Sequence, residues 1–226
     1  QLNYPLPQMH RVRQSFSRPR LEDIEAHIKQ EITKKEISEK IKPGAKVAVA
    51  VGSRGIKNLA KIVKEVIGQI KELGGEPFII SAMGSHGGGT PEGQREVLAS
   101  YGITEENIGV EIVTSVDVVR LGRTSGGIDV YFDSAALGAD LIVPINRVKL
   151  HTDFVGDIQS GVCKMLVIGL GNHVGCTAVH EADFDNFADI LIEAAGMIMK
   201  HASVGFGVAI LENAYDETAM IEAIPA

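Results

Sequence analysis

The chain alternates between short continuous apolar runs and longer stretches of helical periodicity, with glycine clusters at most of the changes between them. Leu21 to Ile41 has apolar residues at 21, 24, 28, 32, 37 and 41, close to the helical repeat, and Pro43-Gly44 follows as a stop, which predicts one helix. Lys46 then leads into the small-apolar run Val47-Ala48-Val49-Ala50-Val51, which ends in Gly52-Ser53-Arg54-Gly55. Ile56 to Leu73 returns to the helical period before Gly74-Gly75. The unit repeats: Pro77 to Ala82 reads as a strand, Gly84-Ser85-His86-Gly87-Gly88-Gly89 as a turn, and Thr90 as the cap of a helix from Pro91 to Ser100. Two successive strand-turn-helix units predict a parallel sheet.

Glu111 to Thr114, Val118 to Leu121 and Ile128 to Phe132 read as shorter strands, forming an antiparallel flap or an edge. Ala139 to Ile145 and Met165 to Gly169 read as two further buried strands, Asp183 to His201 as a helix and Val204 to Leu211 as a last strand. The expected architecture is α/β: a Rossmann-like, mostly parallel sheet flanked by helices, with glycine-rich loops at the strand C-termini. In such sheets the ligand crevice lies at the carboxyl ends of the strands, so the polar residues after each strand should meet there.

Composition narrows the partners. The chain has 226 residues, 45% apolar and 23% charged, with 22 Lys plus Arg against 29 Asp plus Glu and a formal charge of −7. That balance argues against nucleic acid held by phosphate neutralisation, and 5% aromatics without tryptophan argue against a base-stacking platform. No apolar run approaches the roughly 18 residues of a membrane span, so no membrane partner is expected. Cys163 and Cys176 are too few for a disulfide framework and suit a reducing compartment, which gives a cytoplasmic expectation. Residues 1–20, with three prolines and four arginines, read as an extended arm, either a solvated lead-in or an anion-docking segment. The chain opens on Gln1 and closes on Ile224-Pro225-Ala226 directly after a strand-like segment, so a piece of a longer protein is expected. Glycine is in excess, 25 positions against a usual share of about 7%, and its clusters mark special backbone sites.

Gly52-Ser53-Arg54-Gly55 sets a hydroxyl and a guanidinium at a helix N-terminus, either an anion site or a tight turn with a surface arginine. His86 precedes three glycines, a run that costs order unless backbone must approach a ligand closely. His151, Lys164, His173 and His180 fall within thirty residues. Cys163, His173, Cys176 and His180 also permit a loosely spaced zinc site, against the simpler reading of two small buried thiols. Asp183, Asp185 and Asp189 at a helix start serve the helix dipole.

Four phrases together resemble the nickel-dependent lactate racemase family, in its N-terminal domain and in a branch separate from the lactate enzymes themselves. They are Val51-Gly52-Ser53-Arg54-Gly55-Ile56, Ala82-Met83-Gly84-Ser85-His86-Gly87-Gly88, Asn146-Arg147-Val148-Lys149-Leu150-His151-Thr152, and Lys164-Met165-Leu166 through Gly169-Leu170-Gly171. The resemblance implies an isomerase, a racemase or epimerase of a 2-hydroxy acid. It implies reversible hydride transfer to a nickel-pincer nucleotide, a pyridinium mononucleotide whose two thiocarboxyl arms grip nickel. That cofactor would be covalently held by Lys164, with His180 as the nickel ligand, His86 and His151 as the acid/base pair, and Ser53, Arg54 and Ser85 on cofactor or substrate anions.

Hydride removal suits such a substrate because it gives a stable 2-keto acid that can take hydride back on either face, whereas the carboxylate disfavours a carbanion. The partners so implied are a small 2-hydroxy acid and the enzymes that make the cofactor. The resemblance also implies that residues 1–226 form a single N-terminal domain and that a C-terminal domain closing the cleft is absent from this chain. It departs at Val51, where the family has an acidic residue three places before the arginine, and in a slightly longer interval from His151 to Lys164; the substrate does not carry over. Read without the resemblance, Arg54 and the glycine loops permit a nucleotide- or phosphate-binding transferase, or a nucleotide-binding protein without turnover.

Overall fold

A computed structural model describes residues 7–53, 55–181 and 186–226. Helices α1 (Ile24–Ile32) and α2 (Lys35–Ser38) lead into β1 (Lys46–Val51), α3 (Leu59–Glu72) and β2 (Glu76–Ser81). After a 3-10 turn at Gly87–Gly89 come α4 (Pro91–Ser100), α5 (Glu105–Ile108), β3 (Ile112–Val113), β4 (Val118–Arg123), β5 (Asp129–Asp133), α6 (Ser134–Leu137) and β6 (Leu141–Arg147). The rest is α7 (Val162–Lys164), a π-helical turn at Met165–Gly169, α8 (Asn172–His180), α9 (Phe187–His201), β7 (Phe206–Glu212) and β8 (Thr218–Pro225).

Six strands form one sheet in the order β3-β2-β1-β6-β7-β8, parallel except where β8 returns against β7. The chain runs outward from β1 through β2 to β3 and later resumes on the other side of β1 with β6. The boundary between β1 and β6 is therefore a topological switch point, where loops diverge to opposite faces and leave a crevice. The two-residue period of β1 decides its two faces. Val47, Val49 and Val51 pack with α1 and α3, while Ala48 and Ala50 pack with α9, the Met165–Gly169 turn and the antiparallel ribbon β4–β5. Each fully buried valine contributes roughly 1.5–3 kcal/mol.

The structure corrects three expectations. The single helix over Leu21 to Ile41 is broken: Thr33 Oγ donates back to the Lys29 carbonyl at 2.7 Å, and Lys34 has extended backbone at φ −53°, ψ 138°. The break lets Ile37 and Ile41 reach the core, and Glu31 accepts both from Lys34 Nζ and from the Ala223 amide of β8. The strand expected at Met165 to Gly169 is a π turn, closed by Leu170 N–H donating to the Met165 carbonyl at 2.9 Å. A five-residue apolar run does not distinguish strand from buried helix. Here Gly169 sits so close to the residue that follows β2 that a Cβ on it would lie 2.7 Å from the Ala82 carbonyl oxygen. The polar stretch after it, read as a strand end, begins helix α8 instead. The two helical pieces Val162–Gly169 and Asn172–His180 meet at 108°, and among the described residues no single helix is long and apolar enough to cross a membrane.

Residues 7–20 carry no regular element, and from Phe16 onward the chain runs beside the β7–β8 hairpin. Arg18 forks onto Glu217 with both contacts at 2.6 Å and lies 5.1 Å from the Tyr215 ring centroid, while the Pro19 carbonyl accepts from Asn213 Nδ2. The Arg18 guanidinium, with Asn213 beside it, holds the Glu217 carboxyl down from 4.5 to about 2. A depressed carboxylate favours docking above its ordinary pKa and loses that contribution as pH falls through the shifted value. The Arg18 Nε–H resonance is therefore expected to stay protected down to pH 4.5 and to broaden between there and about pH 2. Loss of protection in Glu217→Gln at pH 7 checks the assignment.

Candidate active site

The loops at the switch point enclose a cleft of about 680 Å³ at the C-terminal ends of the parallel strands, within the usual range for a small-molecule site. Its first wall follows β1. Ser53 is pinned by Tyr101, whose hydroxyl donates to the Ser53 carbonyl at 2.6 Å, and its own Oγ is hydrogen-bonded to His86 Nδ1. Arg54 lies outside the described residues, as do Asp183 and Asp185; Asp189 is in the first turn of α9.

The second wall follows β2. The Gly84–Gly89 loop is braced from below by buried Gln94, which accepts from Ser81 Oγ at 2.6 Å and donates to the Gly84 carbonyl at 3.1 Å. Thr90 caps α4 by accepting from the Gly93 amide. Gly87 has φ +64°, and a Cβ there would lie 2.6 Å from the Gln94 nitrogen, so glycine alone lets the loop fold down and present His86.

The third wall leaves β6 through Asn146 and Arg147. Arg147 is ion-paired with Glu212, which also accepts from the Lys57 amide at 2.6 Å. Beyond Arg147 the segment to Gly161 folds on its own side chains. Gln159 accepts from the His151 amide at 2.9 Å, and Ser160 accepts from the Lys149 amide at 2.8 Å. His151 Nδ1 accepts from the Asp153 amide at 3.2 Å, so the neutral ring carries its proton on Nε2. His151 stacks at 4.3 Å on Phe154, over which Lys164 Nζ lies 5.6 Å from the centroid.

The fourth wall is α8. His180 Nδ1 donates to the Cys176 carbonyl at 2.7 Å, one turn back. That bond fixes the Nδ1–H tautomer and leaves the lone pair on Nε2, the state of a metal-ligating imidazole. Phe187, 4.9 Å from Phe154 and 5.4 Å from His180 between centroids, joins the third and fourth walls.

Ser53, Ser85, His86, His151, Lys164 and His180 thus line one cleft, together with His173 and Cys176. Lys164 and His180 arrive on helical turns rather than on strand ends. Cys163, His173, Cys176 and His180 do not assemble as a zinc site: among the described residues no three His, Cys, Asp or Glu side chains are placed to hold a metal ion. Burial raises the Cys163 thiol above its ordinary pKa, which disfavours the thiolate a metal would need. Sequence reasoning passed over the roles of Tyr101, Gln159 and Asn146. Asn146 alone carried a signal, a polar amide at the end of an otherwise apolar strand.

Comparison with known proteins bears on the fold and the family. The family model described as lactate racemase N-terminal domain matches residues 8–190, most of the chain. The chain belongs to the lactate racemase N-terminal domain family. Among curated proteins nothing matches it. Among solved structures, the lactate racemase apoprotein from Thermoanaerobacterium thermosaccharolyticum is similar with a TM-score of 0.65 and 14% identity. The match covers 92% of this chain and 53% of that one, so the chain spans about half the length of that protein. At this identity the likeness is one of fold. The lactate racemase N-terminal fold accordingly accounts for the six-stranded sheet and for the cleft at its switch point, and the chemistry of the cleft rests on the residues that line it.

Proposed function

We propose that this lactate racemase N-terminal domain is the cofactor-binding and acid/base half of a 2-hydroxy acid racemase or epimerase, built to carry a nickel-pincer nucleotide on Lys164. The observation that supports this reading is the meeting of His86, His151, Lys164 and His180 in one cleft at the switch point. The residues present fit the group. His180 offers a single Nε2 lone pair, and since among the described residues no three protein ligands stand at one point, a metal here would take its other donors from what is bound with it. A soft sulfur and imidazole set suits planar nickel.

When bound, the nucleotide supplies a hydride acceptor for the substrate carbon. The chain supplies the rest. Ser53 holds His86 through Nδ1, so with Nδ1–H donated to Ser53 the His86 Nε2 lone pair can take the substrate hydroxyl proton. His151, whose Nδ1 accepts from the Asp153 amide, instead presents Nε2–H to the substrate as a hydrogen-bond donor and gains a base's lone pair there only when that amide contact opens. A reaction that runs in both directions needs one such group as base and the other as acid at any moment, and two imidazoles lining one cleft are the groups that can exchange these roles. Phe154 and Phe187 bridge Lys164 to His180 through ring contacts and so back this side of the cleft with apolar surface.

Intact-mass measurement on protein co-expressed with the cofactor-making enzymes, followed by a chiral assay on a panel of 2-hydroxy acids, tests the reading. The expected result is a nucleotide-sized adduct mapping to Lys164 and loss of optical purity in one substrate. An adduct without turnover would leave a carrier or sensor; no adduct, with phosphate-competed nucleotide binding, would favour a transferase.

A further inference from the structure

Asn146 is the last residue but one of β6 and lines the cleft, with 5% of its surface exposed, and among the described residues neither its Nδ2 nor its Oδ1 has a hydrogen-bond partner. A buried amide is costly to leave unpaired at both ends, and native folds rarely keep one without a use. The surroundings locate that use. The amide lies beneath the Gly161 turn, where a Cβ on Gly161 would lie 3.9 Å from Asn146 Nδ2 and 3.8 Å from Val148 Cγ2. Gly161 immediately precedes the helical turn that ends at Lys164. Asn146, Gly161 and Lys164 line the same cleft, so an outward shift of the Gly161 turn would open the amide to the space beside Lys164.

We infer that Asn146 is a substrate-contacting residue of this cleft, whose carboxamide reads a hydroxyl next to a second oxygen. An amide offers N–H donors on one side and an acceptor on the other. Its complement is a group in which an oxygen acceptor stands beside an O–H donor. A 2-hydroxy acid is such a group: as it binds, the carboxylate accepts from Nδ2 and the hydroxyl donates to Oδ1, turning its proton to a histidine only for the transfer step. Lys149 and His151, which line the cleft beside Asn146, favour the carboxylate over a neutral diol. A monocarboxylate without the hydroxyl leaves Oδ1 unpaired, and sites built to pair a hydroxyl discriminate against analogues that lack it. This inference rests on the 2-hydroxy acid reading proposed above and assigns one residue to it.

The test uses the 226-residue chain with its asparagine side chains labelled with 15N, the Asn146 signals being identified by their disappearance in Asn146→Leu. Titration with lactate is expected to shift those signals, and propionate to bind at least about 10-fold more weakly. Asn146→Leu replaces an unpaired amide with an apolar group of similar shape; it is expected to keep the melting temperature of the parent chain and to lose the preference for lactate over propionate. Asn146 signals that lactate does not move, or an unchanged preference in Asn146→Leu, overturn the inference. So does a lowered melting temperature with unchanged preference, the mark of an amide that serves only a buried water. Movement with ribose 5-phosphate but not with lactate overturns it too, assigning the amide to a nucleotide sugar. Wild-type adduct and racemisation in Asn146→Leu would sink this contact while leaving the proposed reaction standing. A lactate-dependent Asn146 shift in a chain that takes no adduct on Lys164 would do the reverse.

Discussion

Lys164→Ala in the cofactor-loaded protein is expected to abolish the adduct mass and to lower turnover to background, a fall on the order of 10⁴-fold or more. The ammonium group sits over Phe154 on the turn that enters the cleft, and alanine removes the amine that would form the covalent link. Lys164→Arg separates tether from charge. A guanidinium keeps the positive charge and the stacking but is a poor acyl acceptor, so it should do no better than alanine. Wild-type turnover in Lys164→Arg would make Lys164 a phosphate contact and would favour the transferase reading. His180→Ala is expected to fail differently. The amine remains and the adduct still forms, but the Nε2 donor that the Cys176 carbonyl orients is gone, so nickel should exchange with added chelator far faster than in the parent.

Asp133→Ala is expected to cost about 3 kcal/mol of stability, a fall of roughly 6–12 °C in melting temperature for a chain of this length. Asp133 is fully buried where β5 turns into α6 and α8 packs against it. One carboxylate oxygen accepts from the Ala135 and Ala136 amides at 2.8 and 2.9 Å, and the other accepts from Asn172 Nδ2 at 2.7 Å. Alanine strips the cap from α6 and leaves the buried Asn172 amide unpaired at both ends, because Asn172 Oδ1 already has no partner among the described residues.

Asp133→Asn should cost far less, since a rotated Asn172 can present Oδ1 to the new amide. Burial raises the Asp133 carboxyl above its ordinary pKa, against the opposing pull of the two amides and Asn172. A carboxyl raised in the fold is best tolerated at low pH, and its contribution falls as pH rises through the shifted value. The stability of Asp133→Asn relative to the parent should therefore improve from pH 4 toward pH 7. Urea denaturation at the two pH values reads this directly, and a gap that instead widens toward pH 7 would show that the ionised form is the better fit.

The amino-acid sequence by itself determined the elements whose signals are local. The Val47–Val51 run, the caps at Thr90 and Pro91, and the strand-glycine-helix repeats need only neighbouring residues to be read, and they dictate a parallel sheet. The same local grammar marks His86, His151, Lys164 and His180 as polar residues set among glycines and short apolar runs. Only the tertiary structure decided what depends on distant partners. The break after Ile32 answers to β8 through Glu31, and the π turn at Met165–Gly169 packs where Ala82, just beyond β2, leaves no room for a side chain on Gly169. The proton positions on His151 and His180 are set by backbone groups whose placement follows from the loop and the helix. Asn146 continues an apolar strand in the sequence; its unpaired amide emerges only when β6 meets the Gly161 turn, because whether a buried polar group is satisfied is a property of the packed interior and not of the residues beside it in the chain.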